Sequence, residues 1–272
     1  MEGRGNATLR RDAAPLSARA WKEIDDAVAQ AARHVLTARR VATFDGPHGW
    51  EQMVASRLGT MTPCQTREGK ATVCRPEVIL LAEVRAEFSL PWNAIELFER
   101  GAPKLDTKPA EDAAREVALA EDRLALYGEP LGRGFLTSPD SPRVRAGDWT
   151  TPGRMIADVL KAVEILDTQG IAGPYELVLS PGRYFEYLQA EGDRGYPAAR
   201  QLREVVAAVH RSAVVHDAGA VFSVRGDDFM LSVGGDLSAG YRLHDRDAVH
   251  LFCVETVGAQ TVSPEAVCML DP

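Results

Sequence analysis

The sequence predicts an α+β protein, and three observations carry that prediction. Amphipathic segments with an apolar residue every three or four positions recur through the first two thirds of the chain. The last third is built of short β-rich runs separated by Gly and Asp turns. No internal repeat and no low-complexity linker divides the two, so helices and strands belong to one mixed architecture.

The first element starts at Ser17, which caps a helix just after Pro15. Trp21, Ile24, Val28, Ala31 and Val35 then follow at spacings of 3, 4, 3 and 4, one apolar stripe over residues 17 to 38. Gly46, Pro47 and Gly49 forbid regular helix in the next stretch and predict a turn fixed by Trp50. From 59 to 90 the chain alternates about a polar tip near Gly69, which reads as a long hairpin. A two-stranded ribbon alone is marginal in water, so it is expected to lie on a neighbouring copy of the same chain.

Two more helices are marked from Pro109 to Tyr127 and from Pro152 to Thr168, with Pro in the first turn and Gly170 just past the second. A strand at 175 to 180, a helix from Pro181, the Gly-rich segment at 191 to 197 and a run at 201 to 210 precede the three final β-rich runs.

At 272 residues, 45% hydrophobic and 26% charged, the chain has the composition of a globular protein. Its formal charge of −8 argues against a broad phosphate-binding surface, so nucleic acid is not the expected partner. No apolar run approaches the roughly 18 to 20 residues that cross a bilayer, and the N-terminal residues lack the apolar stretch of a signal peptide. The expected location is the cytoplasm, with no membrane partner.

The four cysteines, at 64, 74, 253 and 268, show no metal-site spacing, and no metal is expected. Cys64 and Cys74 lie symmetrically about Gly69, where a three-residue hairpin loop would bring them within disulfide reach; two free thiols are the alternative. The six histidines accompany no hydrolase, metalloprotease or phosphate-loop motif. His210 and His216, with Asp217, come nearest to a cluster, but their spacing does not converge on one face. No catalytic residue is assigned.

Six collinear segments carry a family resemblance. They are APLSARAWKEID (14 to 25), ARRVATFDGPHGWE (38 to 51), LFERGAP (97 to 103), AAREVALAED (113 to 122), DTQGIAGPYELVLS (167 to 180) and GGDLSAGYRLHDRDAVHLFCVET (234 to 256). Together they resemble the family 1 encapsulin shell proteins, the linocin/bacteriocin-type encapsulins that form bacterial nanocompartments. The resemblance implies the tailed-phage major capsid fold of phage Hong Kong 97. On this chain it implies an N-terminal arm and helix over 1–51, an E-loop over 52–90, a P-domain from 91–135 and 226–272, and an A-domain over 136–225. It implies a subunit that assembles with about sixty copies of itself in the smallest icosahedral shell. The shell would enclose a cargo protein, such as a dye-decolourising peroxidase or a ferritin-like protein of iron storage or oxidative stress.

The resemblance also implies site residues. A C-terminal peptide of the cargo would dock at Ala32, Leu36 and Arg39 on the first helix and at Leu237, Ala239 and Tyr241, where apolar side chains and one cation suit it. Plain packing of the helix is the competing reading. Glu191, Gly192, Asp193, Arg194 and Tyr196 match a loop at the fivefold axis and would line a pore, against an ordinary solvated loop. Some relatives bind flavin beside a Trp following a segment like the Arg85–Phe88 stretch. Here Asn93 takes the aromatic position and Trp92 is one residue off, so the expectation is no cofactor, with Trp92 as plain packing and flavin as the lesser alternative. Two other readings compete: a phage capsid protein packaging DNA, against which the helix at 17 to 38 stands in place of a cleavable scaffold segment, and a protease or bacteriocin, for which no motif speaks.

Overall fold

The computed structural model describes residues 8–61, 65–66, 72–74, 76–191, 197–216 and 218–272. In chain order it contains α1 (Ala18–Arg33), α2 (Ala38–Val41), β1 (Thr43–Asp45), β2 (Val54–Met61), β3 (Gln65–Thr66), β4 (Thr72–Val73), β5 (Pro76–Leu80) and β6 (Ala82–Pro91). There follow α3 (Trp92–Glu99), α4 (Lys108–Tyr127), β7 (Arg143–Arg145), α5 (Arg154–Thr168), β8 (Tyr175–Leu179), α6 (Pro181–Gln189), α7 (Ala198–Leu202) and β9 (Ala208–Arg211). The chain closes with β10 (Gly219–Ser223), β11 (Phe229–Val233), β12 (Ser238–His244), β13 (Ala248–Thr261) and β14 (Val267–Asp271). Two compact units result. The first takes residues Met1–Ala31, Asp45–Val117 and Ser232–Gln260, the second Ala32–Phe44, Ala118–Leu231 and Thr261–Pro272.

In the first unit β13 lies between β6 and β12, antiparallel to both; Leu251 faces Phe88 on one side and Tyr241 on the other. Three residues of the expected apolar stripe, Ile24, Val28 and Ala31 of α1, join Ala20, Phe88, Leu90, Phe98, Val117, Ala239 and Leu251 in one buried core; Trp21 is only partly buried against it and Val35 lies beyond the end of α1. Ser17 caps α1 as its sequence position predicts, its Oγ receiving the Ala20 N–H at 3.1 Å. The 46 to 50 turn is pinned to the segment after β11, with His48 N–H on the Val233 carbonyl and Gly49 N–H on that of Gly234. Trp50 fixes it, because the indole fills the space that a Cβ on Gly235 would need, 2.3 Å from the ring.

Two expectations need correction. The predicted helix over 17 to 38 stops at Arg33 and a separate turn of helix, α2, begins at Ala38. The cause is a carboxylate from α4: Asp122 accepts the N–H groups of Thr37 and Ala38, which starts a new helix instead of continuing the old one. The hairpin read over 59 to 90 begins earlier, at Val54, and its residues from 82 onward leave it. Val54 to Ser56 pair with Val78 to Leu80, and Gln65 and Thr66 with Val73 and Thr72, but 82–91 is β6 in the core sheet. Phe88 and Leu90 explain the departure, since the alternation that looked like ribbon buries both against the core.

The second unit is built on a mixed sheet of order β7-β14-β10-β8-β9, with the outer pairs β7–β14 and β8–β9 parallel and the inner pairs antiparallel. The apolar face of α5, Met155, Val159, Ala162, Val163 and Leu166, is buried in this unit. The final strand β14 lies between β7 and β10 in this sheet.

Candidate functional site

The positions implied for docking fall in both units. In the second, Ala32 and Leu36 are buried, Ala32 in the last turn of α1 and Leu36 in the turn between α1 and α2. That turn is held by two adjacent acids of α4. Both Asp122 oxygens take the Thr37 N–H at 2.9 and 3.0 Å, and Oδ1 also takes the Ala38 N–H at 2.9 Å. Burial pushes the Asp122 carboxyl up to about 7, against the Ala38 and Thr37 N–H groups that pull it down. The neighbouring Glu121 is fully buried and receives Arg39 through Nε at 2.7 Å and Nη2 at 2.7 Å. Arg39 also lies 5.1 Å from the Phe44 ring centre. The cation expected to hold a peptide is thus engaged within its own unit.

In the first unit Ala239 and Tyr241 point into the core and only Leu237 keeps part of its surface. The Tyr241 hydroxyl meets His244 Nδ1 at 2.6 Å, and the His244 ring stands edge-on to Trp92 at 5.8 Å. Trp92 donates its indole N–H to the Asp245 carbonyl at 2.8 Å, so the tryptophan one residue off the relatives' aromatic position is held by the β12–β13 turn.

Of the residues expected to line a pore, Glu191 is described: its carbonyl accepts the Gly153 N–H at 3.0 Å and it bridges to Pro197. Gly192, Asp193, Arg194 and Tyr196 lie outside the described residues. Cys74 is disulfide-bonded, and Cys64 lies outside the described residues. Cys253 and Cys268 are buried free thiols, each pushed up to about 12 by burial. Among the described residues no group of three metal-ligating side chains converges, and no helix is long and apolar enough to cross a membrane. His210 pairs with Glu176 at 2.7 Å while His216 stacks on Tyr127, so these histidines serve different partners.

Sequence reasoning missed one polar relay. Ser89 Oγ meets His250 Nδ1 at 2.8 Å, and His250 Nε2 meets Asp245 Oδ2 at 2.8 Å. The His250 hydrogen bond, with the Asp247 and Ala248 N–H groups, holds the Asp245 carboxyl down to about 2. Ser89 and His250 are 161 residues apart and meet because the β6–β13 register sets them opposite each other. No local signal announces such a pair, and Ser89 lies in a regular ladder, so the relay ties β6 to the β12–β13 turn.

The family model described as an encapsulating protein for peroxidase matches residues 6–258. The chain belongs to the type 1 encapsulin shell family. The encapsulin shell protein of Rhodospirillum rubrum is 34% identical over 96% of this chain and 95% of its own length, and that of Rhodococcus erythropolis 32% identical over 96% and 98%. Among solved structures, a virus-like particle from Pyrococcus furiosus aligns with TM-score 0.70 at 16% identity, covering 92% of this chain and 99% of its own. The capsid of Myoviridae phage XM1 aligns with TM-score 0.60 at 11% identity, over 85% and 90%. This encapsulin therefore has the phage capsid fold that the six segments imply, and it is a shell protein.

Proposed function

We propose that the chain is the subunit of a closed icosahedral cage of about sixty copies that encloses a cargo enzyme bearing a C-terminal targeting peptide. The observation that carries the assembly is the exposed apolar face at the base of the β2–β5 ribbon: Met53 is 62% and Leu80 72% exposed, with Val54 and Val78 beside them. Such a surface on an extended hairpin marks an interaction site, and a second copy supplies the cover. The family description, an encapsulating protein for peroxidase, makes a peroxidase the favoured cargo.

In the first unit Leu237 is the docking position that keeps accessible surface, and a peptide's apolar side chain is assigned to it. Light scattering and electron microscopy of the purified particle test the reading together with mass spectrometry of its contents. A uniform hollow shell holding one cargo protein is expected. A monomer overturns the assembly, and a particle filled with DNA overturns the encapsulin function in favour of a viral head.

A further inference from the structure

Within the second unit a cavity of about 370 Å³ is lined by His34, Leu36, Arg40, Tyr184, His210 and Arg211, among others. We propose that it binds a small phosphate-bearing anion. Its size is at the lower end of small-ligand pockets. Two guanidinium groups and two imidazoles gather on its wall in a chain whose formal charge is −8.

The nearby carboxylates are already committed. Glu176 takes His210 Nε2 at 2.7 Å, Asp122 takes the Thr37 and Ala38 N–H groups, and Glu121 takes Arg39. The carbonyl of Arg33 at the end of α1, which would repel an anion through the negative end of the helix dipole, is covered too, as is that of Leu36 in the turn that follows. Arg40 donates Nε to Leu36 O and Nη2 to Arg33 O, both at 3.1 Å. These two bonds fix the guanidinium while leaving three of its five N–H groups for a ligand.

Donors, by contrast, are in surplus. The side chains of His34, Tyr184 and Arg211 line the cavity without a hydrogen-bond acceptor in the protein, among the described residues. Guanidinium, phenol and imidazole donors around one small space match the several acceptor oxygens and double charge of a phosphate group. The reading is independent of cargo docking, although Leu36 is common to both.

Titration calorimetry of the assembled particle, purified free of cargo and phosphate, with pyrophosphate as the probe and at physiological salt, tests it. A saturable site at one per subunit is expected, weakened about tenfold or more by Arg211→Gln, which removes a charge-assisted donor. Arg100→Gln, exposed on the first unit, serves as control and should leave binding unchanged. Arg40→Gln should weaken binding as well, but because Arg40 also holds the end of α1, Arg211→Gln is the deciding variant. Absence of saturable heat, or equal affinity in the wild type and Arg211→Gln, overturns the proposal.

Discussion

The carboxylate of Asp122 accepts the backbone N–H of Thr37 at 2.9 Å, a bond that spans 85 residues and ends the first helix. Two effects oppose each other on that carboxyl. Burial disfavours its charge, and the N–H groups of Ala38 and Thr37 favour it; burial prevails and the group sits at about 7. The folded state therefore holds a proton that the unfolded chain has already released above about pH 4. Stability contributed through this group falls as pH rises from about 4 to 7, and is level above that. Asp122→Asn keeps an acceptor and cannot ionise, so its melting temperature should vary less than the wild type's across this window. A parallel pair of melting-versus-pH curves would dismiss this account of Asp122.

Arg39 and Glu121 make a stronger claim on stability. Glu121 is fully buried and Arg39 has 18% of its side chain exposed, so Arg39→Ala strands a charge where water does not reach. A loss of about 3 kcal/mol or more is expected in chemical unfolding. Arg39→Ala with Glu121→Gln should recover a large part of it. If the cation serves only a docked peptide, Arg39→Ala will unfold like the wild type and lose only cargo.

The apolar stripe of α1 and the extents of α4 and α5 were legible because each is a local periodicity closed by Ser, Pro or Gly. The break after Arg33 was not, because the group that makes it, Asp122, lies on a distant helix and reads in the sequence as one more charge on an amphipathic face. The same holds for Glu121, whose burial depends on Arg39 arriving from elsewhere. Strand β6 was misread as ribbon for a related reason: alternation reports that one face is buried and is silent on which neighbour buries it. The docking positions came from resemblance alone, and Ala239 and Tyr241 show how one apolar residue serves a core as readily as a groove.

Arg11 covers the free edge of β12. Its Nε reaches the Ala239 carbonyl at 2.9 Å, two further nitrogens grip Asp25 at 2.6 and 2.8 Å, and the guanidinium lies 4.5 Å from the Trp21 ring centre. An uncovered edge strand invites pairing with other chains. Because Asp25 is partly exposed, Arg11→Ala should cost only about 1 kcal/mol in stability. Its larger effect should be aggregation of subunits during refolding, followed by turbidity; equal turbidity in the variant and the wild type would sink the edge-covering role.

The cysteines separate into two classes that alkylation can count. Cys253 and Cys268 are free, and burial pushes both thiols up to about 12, so neither reacts readily in the native subunit. Cys74 is disulfide-bonded, and Cys64 is its expected partner from their placement about Gly69. Iodoacetamide should leave the native subunit almost unlabelled and add two groups after denaturation without reductant. Reduction before labelling should raise the count to four, since the chain has four cysteines. Peptide mapping should find the additional pair at Cys64 and Cys74. Four labels without reductant would show the hairpin thiols free, and the ribbon would then owe its pairing to the β2–β5 and β3–β4 ladders alone.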